Sequence, residues 1–240
     1  MMKTGGFCKT IILCGGKGTR LGNLGEIVPK TLVDFHGKPI LYHKLNHSIQ
    51  QGFDEFIIAT GYKSEMVVDA CKKMDLKCKV EFSDSGEDDG MLKRIYQARE
   101  FFEDRVIVTY GDTFTNLELA DLIRFHQSNE SLLSIVIAPI QSPFALVTST
   151  RDNKVLTLEE KPLLYYYIGT FVMEKEAFKF IPEQIIDWSD GGGLIAFFKI
   201  LIAIEKLSSY MYEGAEITFN TIEELNAAKE GFLKFYTHFR

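Results

Sequence analysis

Short apolar runs of strand length alternate with amphipathic segments along the first half of the chain. The runs lie at residues 10–13, 55–60, 79–83 and 105–110. Helical periodicity predicts the segments between them as helices, one that opens at Pro39 and ends near Gly52, then 64–74 and 91–102. This repeated β-α-β order predicts a parallel sheet with crossover helices on both faces, and such sheets bind ligands at the carboxyl ends of their strands.

The pattern changes after residue 132. Shorter strands are predicted at 133–140, 145–150, 155–162 and 165–174, with a turn at Asp152 and Asn153. Gly191 to Gly193 then interrupt the chain before an apolar segment, 194–207, that we expect to be helical. A strand at 215–219 and a closing helix from Thr221 to about His238 complete the pattern, so a small mixed β extension joins the parallel sheet.

Composition narrows the class of protein. The chain has 240 residues, 46% of them hydrophobic, which is enough for a sizeable core. The formal charge of -6 argues against broad nucleic-acid binding and favours a small ligand. Neither a membrane-length apolar run nor a signal peptide is evident, so we expect a cytoplasmic protein. The four cysteines lack CxxC spacing, which predicts free thiols.

A glycine-rich loop follows the first strand. The segment CGGKGTRLG, residues 14–22 and here called the glycine loop, combines four glycines with Lys17 and Arg20, a combination suited to phosphate. A dinucleotide-binding fingerprint needs a further glycine where this chain has Leu21, and a P-loop needs Ser or Thr where Pro39 follows Lys38. An ordinary glycine-rich turn therefore remains an alternative.

Two histidines one helical turn apart suggest a metal pair less strongly. His43 and His47 have zinc-binding spacing, but Lys44 stands where a zinc protease carries its glutamate and no third ligand is evident. We expect both histidines at the surface or in an interface.

The glycine loop opens a longer string, GGKGTRLGNLGEIVPKTLVDFHGKPIL, that resembles the signature of the sugar-1-phosphate nucleotidyltransferases. The string matches that signature at Gly15, Gly16, Gly18, Thr19, Arg20, Pro29, Lys30, Gly37, Lys38, Pro39 and Ile40. Further segments, among them VTYGDTFTNLELADLIRFHQ, LEEKP and FNTIEELNAA, extend the resemblance over nearly the whole chain. The TGYK, DSG, GMLKR and TYGD segments are most similar to glucose-1-phosphate cytidylyltransferases.

The resemblance implies a single domain over residues 1–240 with a nucleotide-diphospho-sugar transferase-like fold. This is a three-layer α/β architecture with a mainly parallel, Rossmann-like sheet, helices on both faces and a small mixed β extension. Residues 1–132 would form the nucleotide-binding part, and residues 133–240 the acceptor-binding part.

The same resemblance implies in-line transfer of a nucleotidyl group without a nucleophilic side chain. Catalysis would then depend on fixed cations, backbone amides and Mg²⁺. Arg20 would clamp the β- and γ-phosphates, and Lys30 would lie near the α-phosphate and the attacking phosphate. Asp112, at the end of the strand 105–110, would bind Mg²⁺, although GDT is also good turn chemistry.

The nucleotide-binding residues carried over from the family lie in three segments. They are Leu13, Gly15, Gly16, Gly18, Thr19 and Arg20, then Ser85 and Gly86, and Gly111. The likeness to cytidylyltransferases predicts CTP as donor, and Ser85, Gly86 and neighbouring backbone groups would then read the exocyclic amine of cytosine. The acidic segment 86–90 is expected to be a mobile lid over the base.

Asn220 occupies the position of the family's second metal ligand, where cytidylyltransferases usually carry aspartate. An amide oxygen can still bind Mg²⁺, with a lower affinity than a carboxylate. Two alternatives stay open: Asn220 caps the last helix with Glu223, or Thr221 forms a capping box with Glu224.

The acceptor site implied by the family comprises Glu160, Lys161, Tyr167 and Gly169. Lys161 would bind the acceptor phosphate and Glu160 the sugar. Tyr167 replaces an asparagine that reaches sugar hydroxyls, and it is equally consistent with an aromatic strand packed in the core. We therefore expect glucose to be a poor acceptor.

These features predict a cytidylyltransferase that uses CTP and a phosphorylated metabolite such as a sugar 1-phosphate, with a role in nucleotide-sugar and polysaccharide biosynthesis. A non-sugar phosphomonoester as acceptor, or a regulatory homologue that binds nucleotide with little turnover, are the alternatives. We also expect a homo-oligomer that binds neither nucleic acid nor membrane.

Overall fold

The computed structural model describes the backbone of residues 8–236 and the side chains of residues 8–232. Its strands are β1 (Lys9–Leu13), β2 (Asp34–Phe35), β3 (Lys38–Pro39), β4 (Glu55–Thr60), β5 (Lys79–Asp84), β6 (Arg105–Tyr110), β7 (Phe114–Thr115), β8 (Leu133–Gln141), β9 (Leu146–Ser149), β10 (Val155–Glu159), β11 (Leu163–Glu174), β12 (Leu207–Met211) and β13 (Glu216–Ile217). The α-helices are α1 (Asn23–Ile27), α2 (Ile40–Gln50), α3 (Ser64–Lys73), α4 (Met91–Ala98), α5 (Leu119–Ser128), α6 (Glu183–Ile186), α7 (Gly192–Ala203) and α8 (Ile222–Tyr236).

A seven-stranded, mainly parallel sheet forms the centre of the fold, in the order β12-β8-β11-β6-β1-β4-β5. Strands β5, β4, β1 and β6 pair in parallel, and β11 runs antiparallel to both β6 and β8. The predicted α/β class and mainly parallel sheet are confirmed. Both halves of the chain contribute strands to this one sheet.

Alternation along β1 explains the three layers. Ile11 and Leu13 pack on the face covered by α4 and α7, whereas Ile12 packs on the opposite face with α2 and α3. All three side chains are buried. Because successive strand residues point to opposite faces, an unbroken apolar strand requires helices on both sides.

The segment 194–207, predicted as one helix, is divided in the structure. Helix α7 ends at Ala203, and Glu205 adopts a left-handed conformation with φ 55°. The amide of Lys206 turns back to the carbonyl of Leu201, after which β12 pairs in parallel with β8. The helix prediction is therefore wrong beyond Ala203, because the open edge of β8 offers backbone partners that composition does not reveal.

Two other element boundaries differ from those predicted. The strand expected at 215–219 shortens to β13, which pairs with β7. The closing helix is described to Tyr236, and its predicted end at His238 lies outside the described residues.

The predicted mixed β extension is present. Strands β9 and β10 form an antiparallel ribbon whose residues are all exposed. Strand β11 continues from this ribbon into the core, and its register with β8 shifts between Tyr167 and Phe171. Gly169 lies within the shift with φ 77°, and a Cβ there would be 2.6 Å from the Tyr110 ring. Glycine is therefore required where the strand bends over Tyr110.

Candidate active site

The carboxyl ends of β1 and β6 border a cavity of about 640 Å³. One wall is the glycine loop, and the opposite wall is the acidic segment 87–89 with Ser189 and Asp190. Tyr110 and Asp112 come from the end of β6, while Lys30 and Asn220 enter from elsewhere in the chain. The cavity thus lies where a parallel sheet places ligands, with positive and negative walls.

The glycine loop turns sharply so that Arg20 faces this cavity. Gly18 and Gly22 have φ of 62° and 54°, and a single 3₁₀ turn, Thr19–Leu21, lies between them. Leu21 is buried and anchors the turn, whereas Arg20 is exposed. Among the side chains of residues 8–232 and the backbone of residues 8–236, the guanidinium of Arg20 makes no hydrogen bond or ion pair, so its planar donor fork is available to an anion.

Lys30 brings the two candidate metal ligands together. Its Nζ lies 2.6 Å from Oδ2 of Asp112 and donates to Oδ1 of Asn220 at 3.3 Å. The ammonium also lies 4.9 Å from the centroid of the Phe219 ring. The largely buried ammonium of Lys30 is therefore held between a carboxylate oxygen and an amide oxygen, beside the glycine loop.

Helix α8 does not use the side chain of Asn220 as its cap. The hydroxyl of Thr221 accepts the Glu224 amide at 3.2 Å, and the carboxylate of Glu224 accepts the Asn220 amide at 2.6 Å. This is the arrangement with Thr221 as cap, one of the two alternatives left open by the sequence. The amide oxygen of Asn220 is thereby left to face Lys30.

The backbone of the predicted nucleotide site is tightly packed. The amide of Gly111 donates to the carbonyl of Leu13 at 3.0 Å, which ties the end of β6 to the end of β1. A Cβ at Gly111 would lie 2.5 Å from Cγ2 of Thr31 and 2.8 Å from the Leu13 carbonyl. Gly111 itself is not part of the cavity lining, which includes six of the predicted nucleotide-binding residues, Leu13, Gly15, Gly16, Gly18, Thr19 and Arg20.

Ser85 and Gly86 do not line this cavity. The hydroxyl of Ser85 accepts a hydrogen bond from Nη1 of Arg94 at 3.1 Å, and the Gly86 amide donates to Oδ1 of Asp84 at 3.0 Å. Their neighbours 87–89 form the wall instead. The role of Ser85 and Gly86 in reading the base stays a prediction.

The four predicted acceptor residues also lie outside the cavity lining. Glu160 and Lys161 are exposed at the turn after β10, and the Lys161 carbonyl accepts from the side-chain amide of Gln141. Tyr167 packs between the rings of Tyr110 and Phe198, with centroids 5.9 and 5.6 Å away. Burial raises the pKa of Tyr167 well above its usual value. This is the core-packing alternative for Tyr167, one layer behind the cavity.

Three cations that sequence patterns did not assign to the site are placed in or beneath it. Lys17 is exposed and forms a 2.7 Å ion pair with Asp88 across the cavity. Arg94 is 4% exposed and lines the cavity from α4. Lys44 is buried below Asp112 and donates to the Thr113 carbonyl at 2.5 Å. Lys44 and Arg94 each occupy a position on the buried, mainly apolar face of a helix, α2 and α4 respectively. A cation at such a position is the one sequence signal that could have indicated them.

Desolvation lowers the pKa of Lys44 to about 8. Asp112 and Glu216 act in the opposite direction, since their negative charge favours the ammonium, but their effect is smaller. The loop that carries Asp112 therefore rests on a lysine whose charged state is costly.

His43 was expected at the surface or in an interface, and the surface position is wrong. His43 is buried, and its Nε2 donates to the Phe35 carbonyl at 2.8 Å. Burial lowers its pKa. His47 lies half-buried with its ring nitrogen 2.8 Å from Nε2 of Gln51. Among the described residues no cluster of three or more His, Cys, Asp or Glu side chains could hold a metal ion.

The sheet and the cavity define an α/β protein with a cation-lined cavity at the carboxyl edge of its parallel strands. The profile of the nucleotidyl transferase family matches residues 9–193. The chain belongs to the nucleotidyl transferase family, and the curated proteins that it resembles include a mannose-1-phosphate guanyltransferase of Xenopus laevis.

Individual relatives agree with this assignment. The chain is 30% identical over 200 residues to the probable glucose-1-phosphate cytidylyltransferase of Bacillus subtilis. The matched region covers 73% of this chain and 78% of that relative. The crystal structure of HddC from Yersinia pseudotuberculosis, complexed with GMP-PN, is 25% identical with a TM-score of 0.71 over 94% of this chain and 100% of that chain.

A putative glucose-1-phosphate thymidylyltransferase from Bacillus anthracis shares the fold, with a TM-score of 0.74 at 18% identity over 93% of this chain and 94% of that chain. The chain spans about half the length of other curated relatives that it matches. Within residues 8–236, every helix is too short or too polar to cross a bilayer.

Proposed function

We propose that this chain transfers a nucleotidyl group from a nucleoside triphosphate, with CTP as the preferred donor, to a phosphorylated metabolite and releases pyrophosphate. The observation that carries the proposal is the meeting of Lys30, Asp112 and Asn220 in one cavity beside the glycine loop. Two negatively charged substrates must approach each other in this reaction, and the cavity supplies cations where they would meet.

The chain's own groups account for positioning and charge. The unengaged guanidinium of Arg20 would bind the β- and γ-phosphates, while the glycine-loop amides approach them without side-chain hindrance. Lys30 would face the α-phosphate. An oxygen of the acceptor phosphate attacks the α-phosphorus, a new P–O bond forms, and the bond from the α-phosphorus to the bridging oxygen breaks as pyrophosphate leaves.

The donor set fits Mg²⁺. Oδ2 of Asp112 and Oδ1 of Asn220 converge on a single cationic atom, the Lys30 Nζ, so hard oxygen ligands already face one point. With two protein ligands, a Mg²⁺ ion held by Asp112 and Asn220 would take its other ligands from phosphates and water and would neutralise charge on the triphosphate.

The choice of base rests on likeness to relatives. The similarity to a probable glucose-1-phosphate cytidylyltransferase favours CTP, whereas the HddC structure holds GMP-PN and makes GTP the main competitor. Pyrophosphate release measured with CTP, GTP, UTP and dTTP decides between them. Equal or faster turnover with GTP or dTTP would remove the CTP assignment and leave nucleotidyl transfer in place.

A phosphorylated metabolite other than glucose 1-phosphate is the acceptor that the site favours. Tyr167 packs in the core and offers no donor and acceptor pair to a pyranose hydroxyl where the family has asparagine. The same pyrophosphate assay, run against a panel of sugar 1-phosphates and non-sugar phosphomonoesters, identifies the acceptor.

A nucleotide-binding homologue with little turnover is the second candidate, favoured by an amide instead of a carboxylate at Asn220 and by the exposed position of Lys161 outside the cavity. Tight CTP binding by calorimetry without pyrophosphate release against any acceptor in the panel would support it.

A further inference from the structure

Helix α4 carries a buried arginine that the reaction described above does not use. Arg94 is 4% exposed, and its guanidinium lies directly beneath the cavity. No carboxylate lies within ion-pair distance of it in the part of the chain between residues 8 and 236. Burial lowers its pKa, and the more distant charges of Asp89 and Asp84 oppose this. A buried cation held without a direct counter-ion needs a reason, since its desolvation is costly.

The guanidinium of Arg94 joins three separate segments. Nη1 donates to the Thr60 carbonyl at the end of β4, at 2.5 Å, and to the Ser85 hydroxyl at 3.1 Å. Nη2 donates to the Gly15 carbonyl at 3.2 Å and to the Glu87 carbonyl at 3.4 Å. One rigid, planar group therefore ties the glycine loop, a strand end and the 84–90 loop, which precedes α4, to one another.

Two glycines provide the space for this group. A Cβ at Gly15 or at Gly61 would overlap the guanidinium of Arg94, and at Gly61 the three nearest atoms all belong to that guanidinium. Gly61 does not line the cavity. The backbone is thus shaped around Arg94 on two sides.

The two walls of the cavity depend on Arg94 to different degrees. The Gly15 carbonyl also accepts the Tyr62 amide at 3.1 Å, so the glycine loop has a second anchor. The 84–90 loop reaches the glycine loop otherwise through the Lys17–Asp88 ion pair, in which Asp88 is 91% exposed. Exposed ion pairs contribute little to stability, because water screens the two charges. Arg94 is therefore the buried tie of the 84–90 loop.

We propose that Arg94 is the positioning residue that holds the 84–90 loop at a fixed distance from the glycine loop and thereby sets how tightly the nucleoside part of the nucleotide binds. The role rests on the proposed nucleotidyl transfer, because that reaction places the phosphates on the glycine loop and the nucleoside against the opposite wall. Arg94 acts through the two loops and need not touch the reacting atoms.

Two variants of the 240-residue chain test this role. Arg94→Lys keeps the charge but cannot reach four acceptors on three segments. Gly61→Ala does not change the residue at position 94, but the new methyl group would overlap the guanidinium of Arg94 and displace it. A flexible arginine side chain can make this movement without unfolding the protein. Arg99→Lys is the matched control, because Arg99 is one turn further on and pairs with Glu100 at the surface.

Each variant is measured for the KM of the preferred triphosphate, for kcat, and for the binding of inorganic pyrophosphate by calorimetry. Arg94→Lys and Gly61→Ala should each raise KM at least about 10-fold, with kcat within about 3-fold of wild type and pyrophosphate affinity nearly unchanged. Hydrogen–deuterium exchange of the peptide 84–90 should accelerate in both variants and not in Arg99→Lys. The double variant should add little to either single change.

The positioning role would be overturned if both variants kept the wild-type KM, or if the binding of triphosphate and the binding of pyrophosphate weakened equally. Turnover by the wild-type protein would still support the proposed function in either case. If Arg94→Lys does not fold, Gly61→Ala alone decides by the same measures. A wild-type chain that releases no pyrophosphate and binds no nucleotide would overturn both proposals.

Discussion

The charge on buried Lys44 should make the stability of this protein rise with pH in a range where most proteins lose stability. Lys44 supports the loop after Asp112, and desolvation lowers its pKa from 10.5 to about 8. Below pH 8 both the folded and unfolded chains hold the proton, so the folded state bears the full cost of burial. Between pH 8 and 10.5 the unfolded chain keeps a proton that the folded chain has released, and the free energy of unfolding increases with pH.

The size of this effect follows from the shift in pKa. At about 1.4 kcal/mol per unit, the full contribution is about 3 kcal/mol, and the part gained between pH 7 and pH 9.5 is about 2 kcal/mol. The buried thiols of Cys8, Cys14 and Cys71, whose pKa values are raised by burial, act in the opposite direction above about pH 9. Wild type is therefore compared with a variant that contains the same cysteines, so that their contribution to the free energy of unfolding cancels in the difference.

Lys44→Met is that variant. It leaves the Thr113 carbonyl without its donor, a loss of about 1–3 kcal/mol that is independent of pH. Urea unfolding in EDTA at pH 7 and 9.5 should show wild type gaining about 2 kcal/mol on the variant as pH rises. Lys73→Met, a change at an exposed lysine of α3, retains Lys44 and should gain stability with pH as wild type does, so the difference between these two proteins should stay constant. If the difference in the free energy of unfolding between wild type and Lys44→Met stays constant within about 0.5 kcal/mol from pH 7 to pH 9.5, Lys44 is not a desolvated, charged lysine.

Four further outcomes are expected. Pyrophosphate release should stop in excess EDTA, and undiminished turnover would remove the metal role of Asp112. Arg20→Ala and Lys30→Ala should each lose at least about 10²-fold in rate with little change in melting temperature, whereas near-normal turnover would show that the phosphate assignment is wrong. Thr221→Ala should lower stability by about 1 kcal/mol and leave turnover intact; a large loss of activity would mean that the cap orients Asn220. The kcat/KM for glucose 1-phosphate with CTP should remain below about 10⁴ M⁻¹s⁻¹, and a higher value would mean that the pocket recognises glucose by other residues.

Local patterns were sufficient for much of the fold. The apolar runs within β1, β4 and β6 are short and unbroken, so their conformation and burial follow from nearest neighbours, whereas β5 alternates polar and apolar residues and is only partly buried. The glycine loop was identified for the same reason, since close phosphate approach demands particular residue types within one short segment, whereas Lys30 was assigned through the family resemblance. The sequence alone thus determined the class of fold and the edge of the sheet that carries the cavity.

Contacts between distant segments were decided by the tertiary structure. Lys30 meets Asn220 across 190 positions, and Arg94 reaches Gly15 across 79, although neither pairing has a local signal. The apolar segment after Gly193 was divided because the edge of β8 offered hydrogen-bond partners to residues that would otherwise continue the helix. Tyr167 entered the core because the bend at Gly169 turned it towards Tyr110 and Phe198. Burial and partner geometry arise only when the chain is folded, and these two quantities determine whether a cation or an aromatic ring belongs to the site or supports it from beneath.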